Sequence, residues 1–168
     1  MELGKAAEVK IKEWLDRPED EYSFDRIPDQ MTGFYQSCNI CDFTLFKSPY
    51  MYYIESKATY KDRFDFNMIT DYQKKHLLEK SKIKNVYGCV IVLFAEHKRA
   101  FVINIRHIAY LEKNDKHSLN IKKINNWNIP YYEIQTVPNN RKKLLDYCGP
   151  FLVPEFKEED YEANDNSV

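Results

Sequence analysis

CDFTLFKSPYMYYIESK, residues 41–57, reads as two strands, Cys41 to Phe46 and Met51 to Lys57, joined by a turn of Lys47, Ser48, Pro49 and Tyr50. If the turn is symmetric about the Ser48–Pro49 bond, residues whose numbers sum to 97 face each other. Phe43 then meets Ile54 and Leu45 meets Tyr52, which makes one face apolar on both strands, as a core-facing hairpin requires. On the other face Asp42 lies opposite Glu55, and Lys57, two residues on, shares the side of Glu55.

Two carboxylates opposed on a sheet, about 5 Å apart at Cβ, repel and call for a compensating charge. A hard divalent cation is one compensator. Mg²⁺ binds through one or two carboxylates, keeps several waters and bridges to phosphates. An ammonium at Lys57 then stabilises developing negative charge or positions the attacking water, which makes the set a hydrolytic site for a phosphodiester. The same triplet also fits an exposed hairpin face carrying an ordinary Glu55–Lys57 pair.

The chain around this hairpin has 168 residues, 43% hydrophobic and 15% aromatic with only 4 Gly, a composition that points to one globular domain rather than disorder. No apolar run approaches membrane-spanning length and the start, MELGKAAEVK, lacks a signal-peptide core, so the expectation is a cytoplasmic protein. The four cysteines, Cys38, Cys41, Cys89 and Cys148, do not suggest a disulfide scaffold. Cys38 and Cys41 form a CxxC without a second ligand pair, so the structural reading comes before zinc. The net charge of −1 conceals a division, because residues 155–168 contribute −5 and leave the body, residues 1–154, at +4. The body reads as a single domain and the tail as acidic and disordered. A mildly basic body permits DNA binding without demonstrating it.

Upstream, residues 2–16 carry a helical apolar stripe and end before Pro18, with Glu8 toward the polar side, where a pair with Lys12 is the plain reading. Tyr22 to Ile27 reads as a short strand, followed by a Pro28-Asp29 turn and a loop around Gly33. Downstream come a polar and aromatic loop with Lys61 and Arg63, then a helix from about Ile69 to Lys84. Ile69, Tyr72, His76, Leu77 and Ile83 fit one face of that helix and Lys74, Lys75, Lys80 and Lys82 much of the remainder. Thr70-Asp71-Tyr72-Gln73 has the form of a capping box, which makes Gln73 a helix cap. His76 reads as a surface or interface histidine. Arg26, Lys61, Arg63, Lys74 and Lys75 are candidate DNA contacts, although a turn built on Pro28 and Asp29 is the first account of the Arg26 region and a solvated helix face looks the same as a phosphate-binding one for Lys74 and Lys75. VYGCVIVLFA, residues 86–95, is a strand buried on both faces, with Ala100 to Ile105 as its partner. A short helix over Ile105 to Lys113, an edge strand over Tyr131 to Thr136 and a last helical turn or two over Arg141 to Tyr147 complete the expectation. The order is helix, three strands, helix, two strands: an α/β fold with a central mixed sheet flanked by helices.

Asp42, followed thirteen positions later by Glu55-Ser56-Lys57 and then by a basic helix and a buried strand, resembles the PD-(D/E)XK nuclease superfamily, with its restriction-endonuclease-like core. Within it the chain is most similar to the RecU-like Holliday junction resolvases, phage-encoded versions included. The similar pieces are Gly4-Lys5-Ala6-Ala7-Glu8, Cys41-Asp42-Phe43, Ile54-Glu55-Ser56-Lys57-Ala58-Thr59 and Asp71-Tyr72-Gln73, and they span about residues 4–105. The resemblance implies a metal-dependent endodeoxyribonuclease in which Asp42 and Glu55 bind Mg²⁺ or Mn²⁺ and the carbonyl of Ser56 adds a ligand. Lys57 would assist the water or the developing charge, Glu8 would complete the metal environment and Gln73 would join the site. It also implies a homodimer that makes paired nicks in a four-way DNA junction. Two departures stand out: Cys41, not Pro, precedes Asp42, and the region between the first helix and Asp42 is too short for the long stalk that enters the junction in cellular RecU. Cutting of ordinary duplex, as by a restriction or homing enzyme, and a non-catalytic DNA-binding module on the same fold are the other readings.

Overall fold

The computed structural model describes residues 2–17, 21–28, 39–138 and 145–157. Helix α1 spans Leu3–Leu15, and strands β1 (Ser23–Arg26), β2 (Phe43–Lys47) and β3 (Tyr50–Thr59) follow. After β4 (Arg63–Asp65) come helix α2 (Asp71–Lys80), the paired strands β5 (Val86–Phe94) and β6 (Arg99–Asn104), and helix α3 (Ile105–Lys113). Short strands complete the described chain: β7 (Ser118–Asn120), β8 (Tyr132–Glu133), β9 (Gln135–Val137) and β10 (Asp146–Cys148). Among the described residues the main sheet has six strands in the order β1-β2-β3-β5-β6-β8. It is mixed: β3 and β5 run parallel, with α2 in the crossover between them, and the other neighbours are antiparallel.

The sheet is covered on both sides because its central strands are apolar on both. Strand β5 is fully buried from Gly88 to Phe94, and from Cys89 onward its side chains alternate between the two cores. On one face Ala7, Ile11, Trp14 and Leu15 of α1 pack on Phe43, Leu45, Ile54 and Cys89. On the other, Leu77 of α2 and Ile105, Ile108 and Leu111 of α3 pack on Val90, Val92, Phe101 and Ile103. Each buried Leu or Ile side chain contributes about 1.5–3 kcal/mol of burial free energy, which makes the two apolar layers the main force holding the helices to the sheet.

The β2–β3 hairpin has the register set out above. Phe43 faces Ile54, Leu45 faces Tyr52, and Phe46 faces Met51, so the numbers sum to 97 along the whole ladder. Gly88 then fixes α2 against β5. Its amide donates to Ser81 Oγ (2.8 Å), Ser81 Oγ donates to Leu77 O (2.8 Å), and a Cβ built on Gly88 would stand 2.8 Å from that same carbonyl. Glycine is what allows the C-terminal turn of α2 to lie directly on the strand.

Several boundaries differ from the sequence reading. Helix α2 ends at Lys80 rather than Lys84, since Ser81 turns back to cap it, and Ile83 is exposed instead of joining the apolar face. The residues expected to begin a loose tail at Glu155 lie against α3: the Glu155 carbonyl is 3.1 Å from His107 Nε2, and the Arg106 guanidinium stands 4.3 Å from the Phe156 ring centre. Where a last helical turn was expected, the described residues Asp146–Cys148 form strand β10, paired with β9, and Asp146 receives the buried ammonium of Lys10 from α1. Residues 141–144, the remainder of the tail from residue 158, and Cys38 of the CxxC lie outside the described residues.

Candidate active site

Strand β3 carries the centre of the site because it lies inside the sheet, between β2 and β5. Glu55 is 1% exposed, which removes the exposed-hairpin reading of the Glu55–Lys57 pair. Its two oxygens are treated differently. Oε1 accepts from Lys57 Nζ at 2.5 Å and from Gln73 Nε2 at 2.7 Å. Oε2 is buried and has no hydrogen-bond partner among the described residues.

Asp42, just ahead of β2, stands across from Glu55. Its amide donates to Ile54 O (3.1 Å) and its Oδ2 accepts the Ser56 amide (2.7 Å). In a strand the N–H and C=O of one residue share an edge, so the Ser56 carbonyl lies on the Asp42 edge as well, beyond the point where the β2 ladder begins. Burial, and after it the negative charge of Asp42, push the Glu55 carboxyl up from 4.5 to about 7, against the smaller downward pull of Lys57 and Gln73. A carboxylate raised by burial and a like charge, with one oxygen left unsatisfied, is costly to the fold and marks Glu55 as a candidate site residue.

Gln73 unites the two readings of it. Its Oε1 accepts from the Thr70 amide and its own amide donates to Thr70 Oγ1, closing the capping box, while Nε2 is directed to Glu55. A single side chain thus caps the start of the helix and holds the carboxylate.

The other expected residues are placed apart or engaged. The Glu8 carboxylate receives Arg26 Nη2 at 2.8 Å and Nε at 3.2 Å. Among the described residues no three His, Cys, Asp or Glu side chains are gathered closely enough to hold a metal, so Asp42 and Glu55 form a pair without Glu8 at ligand distance. Glu8 is paired instead with Arg26, which lies opposite Phe43 on β1. Lys74 pairs with Glu112 of α3 at 2.5 Å and Arg63 with Asp65 at 2.7 Å. Lys61 and Lys75 are exposed. His76 lies against the Tyr72 ring and Glu79 on the helix surface. Cys41 is buried with its thiol pushed up to about 12, chiefly by burial, and its Sγ lies 3.2 Å from Phe43 O, so it packs as a small apolar residue. The Ser56 amide, which anchors Asp42, is a role that a side-chain pattern does not contain, because any residue at that register position supplies it.

The family model RecU, Recombination protein U, matches residues 21–149. Asp42, Glu55, Ser56, Lys57 and Gln73 fall inside the match, and Glu8 with helix α1 falls before it. A search of curated proteins finds no match.

Proposed function

The chain belongs to the recombination protein U family of Holliday junction resolvases, and we propose that it is a divalent-metal-dependent endodeoxyribonuclease that nicks branched DNA at the Asp42–Glu55–Lys57 site. The observation that supports this most is the buried, unpartnered Oε2 of Glu55 beside Asp42. With Asp42 and Glu55 both ionised, two carboxylates and one ammonium leave the site at −1, which repels a phosphodiester until a cation is added.

The donors fit Mg²⁺ or Mn²⁺: hard oxygens from Asp42 and Glu55, with the Ser56 carbonyl on the same edge. A bound cation supplies charge neutralisation at the phosphate and lowers the pKa of a bound water. The remaining work falls to this chain. Gln73 and Lys57 hold Glu55 Oε1, which leaves Oε2 as the oxygen that would meet a cation. Lys57, paired with Glu55 and 18% exposed at its side chain, would stabilise the negative charge that develops on the phosphorane. The Ser56 amide fixes Asp42. Glu8, already neutralised by Arg26, belongs to the outer environment of the site rather than to direct ligation. Paired nicks across a junction require two active sites, so the reading includes a homodimer. Lys61 and Lys75 are the exposed phosphate contacts it favours.

The test is cleavage of a labelled four-way junction and of the matched linear duplex, with Mg²⁺ and with EDTA, by the wild type and by Asp42→Asn. Paired junction nicks that require both the metal and Asp42 are expected. Equal cutting of both DNAs would reassign the chain to duplex cleavage, and binding without cleavage under every metal condition would overturn the enzyme reading.

A further inference from the structure

The residues that follow β10 are held along α3 by contacts that the nuclease reading leaves unused. Asn104 Nδ2 donates to Pro154 O (3.1 Å), buried His107 lies with Nε2 3.1 Å from Glu155 O, and the Arg106 guanidinium stands 4.3 Å from the Phe156 ring centre. These contacts bring Glu155 and Phe156 to the wall of a cavity of about 350 Å³ at the C-terminal end of α2. Another part of the wall is the loop from α2 to β5, which carries Lys82 and Lys84. Its backbone is pinned: the Ile83 amide donates to Lys80 O (3.1 Å), the Val86 amide to Ile83 O (3.1 Å) and the Met51 amide to Asn85 O (2.9 Å).

The cavity is cationic and waits for opposite charge. Lys82 and Lys84 are exposed, and no carboxylate among the described residues pairs with either. With Arg106 they place three cations on the wall against one acid, Glu155, which already stands 3.9 Å from Lys157. Between the two lysines Ile83 is 57% exposed, an apolar spot inside the cationic rim. An occupant that matches this wall carries several negative charges and one apolar group. A simple inorganic anion would meet the charge and leave Ile83 uncovered.

The chain supplies such a segment itself. It continues from Lys157 as Glu158-Glu159-Asp160-Tyr161-Glu162, four acids around one aromatic ring. We propose that this acidic segment docks in the cavity of its own chain, with its carboxylates on Lys82 and Lys84 and the Tyr161 ring against Ile83. Reach is sufficient, because five residues span up to about 17 Å at about 3.3–3.6 Å each, and a sphere of the cavity's volume is about 9 Å across. Exposed ion pairs are individually weak. Phe156, however, is part of the wall and only two residues before Glu158, so the encounter is intramolecular, at an effective concentration on the order of millimolar. The same segment on a second copy lacks that advantage. The docked segment gives the cationic loop an occupant within the chain and compensates the charge of both. This inference goes beyond the nuclease reading and needs neither metal nor cleavage.

The experiment is zero-length carbodiimide cross-linking of the full chain in EDTA, which joins a carboxylate to an amine only where the two meet, with linked peptides identified by mass spectrometry. An equal mixture of isotope-labelled and unlabelled protein is used, so that links within a chain and links between chains differ in mass. Links from Lys82 or Lys84 to Glu158, Glu159, Asp160 or Glu162 within one chain are expected. Their yield should fall several-fold in about 1 M NaCl, where the screening length is about 3 Å. Cleavage of the tail by a glutamate-specific protease should be several-fold faster in Lys82→Glu/Lys84→Glu than in the wild type, and because both lysines are exposed the exchange spares the fold. Tail acids linked no more often to this pair than to exposed Lys75 and Lys113 would overturn the proposal. Links found mainly between chains would overturn it in favour of a second copy's tail, and equal protease rates in the wild type and the charge-reversed variant would also refute it.

Discussion

Replacing Glu55 by glutamine should make the metal-free protein less sensitive to pH, although it removes a central side chain of the site. The Glu55 carboxyl is raised from 4.5 to about 7 in the folded chain. A carboxyl raised on folding adds stability that is fully present below its unfolded value and is lost as pH rises through its folded one. For these two values the loss between pH 5 and pH 8 is about 2–3 kcal/mol. The substituted glutamine does not titrate, and its amide oxygen can still accept from Gln73 Nε2. The variant also loses the Lys57 ion pair, which forms only where Glu55 is ionised and is already part of its shift; the remaining cost of the substitution is of similar size at both pH values. Thermal unfolding in EDTA at pH 5 and pH 8 separates the two terms. The wild type should lose about 5–10 °C more than Glu55→Gln on going to pH 8, at about 2–4 °C per kcal/mol for a chain of this size. Added Mg²⁺ should restore the wild type at pH 8 and leave the variant unchanged. A difference between the two proteins that is constant from pH 5 to pH 8 would refute the idea that Glu55 is held as a buried, strained carboxylate.

Further substitutions separate positioning from structure. Thr70→Ala removes half of the capping box and should cost about 1 kcal/mol of stability with little effect on cutting, whereas Gln73→Leu should cost similar stability and also lower cleavage, because Nε2 no longer holds Glu55; denaturation and kcat measured on both variants check this. Gly88→Ala forces a methyl group within 2.8 Å of the Leu77 carbonyl, and urea unfolding should show a loss of about 1–3 kcal/mol. Lys57→Met should leave Mn²⁺ affinity within a few-fold of wild type and reduce junction cleavage by about 10²–10³ in single-turnover assays.

The hairpin was the most legible part of the sequence, since the period of two and the turn together allow only one register that places Phe43, Leu45, Tyr52 and Ile54 on one side. The apolar run 86–95 likewise could be little other than a doubly covered strand. Gln73 was legible as a cap from its spacing to Thr70, and the side chain that closes the box also donates to Glu55. The pairing of β4 with β7 joins three-residue segments more than fifty positions apart, and neither has an alternation long enough to identify it. The Lys10–Asp146 contact and the engagement of Glu8 by Arg26 are likewise long-range partner choices, set by how α1 lies across the sheet and invisible to local pattern. Ile83 fits the helical period, but Ser81 ends the helix before that period can carry Ile83 to the core.

The central claim is that Asp42 and Glu55 together bind one divalent cation. Calorimetric titration of Mn²⁺ into the wild type, Asp42→Asn and Glu55→Gln at pH 8 tests it directly. Binding by the wild type, with each variant weakened at least tenfold, is the expected result. Wild-type affinity in both variants, or no binding by the wild type in the presence of junction DNA that it nevertheless cuts, would contradict it.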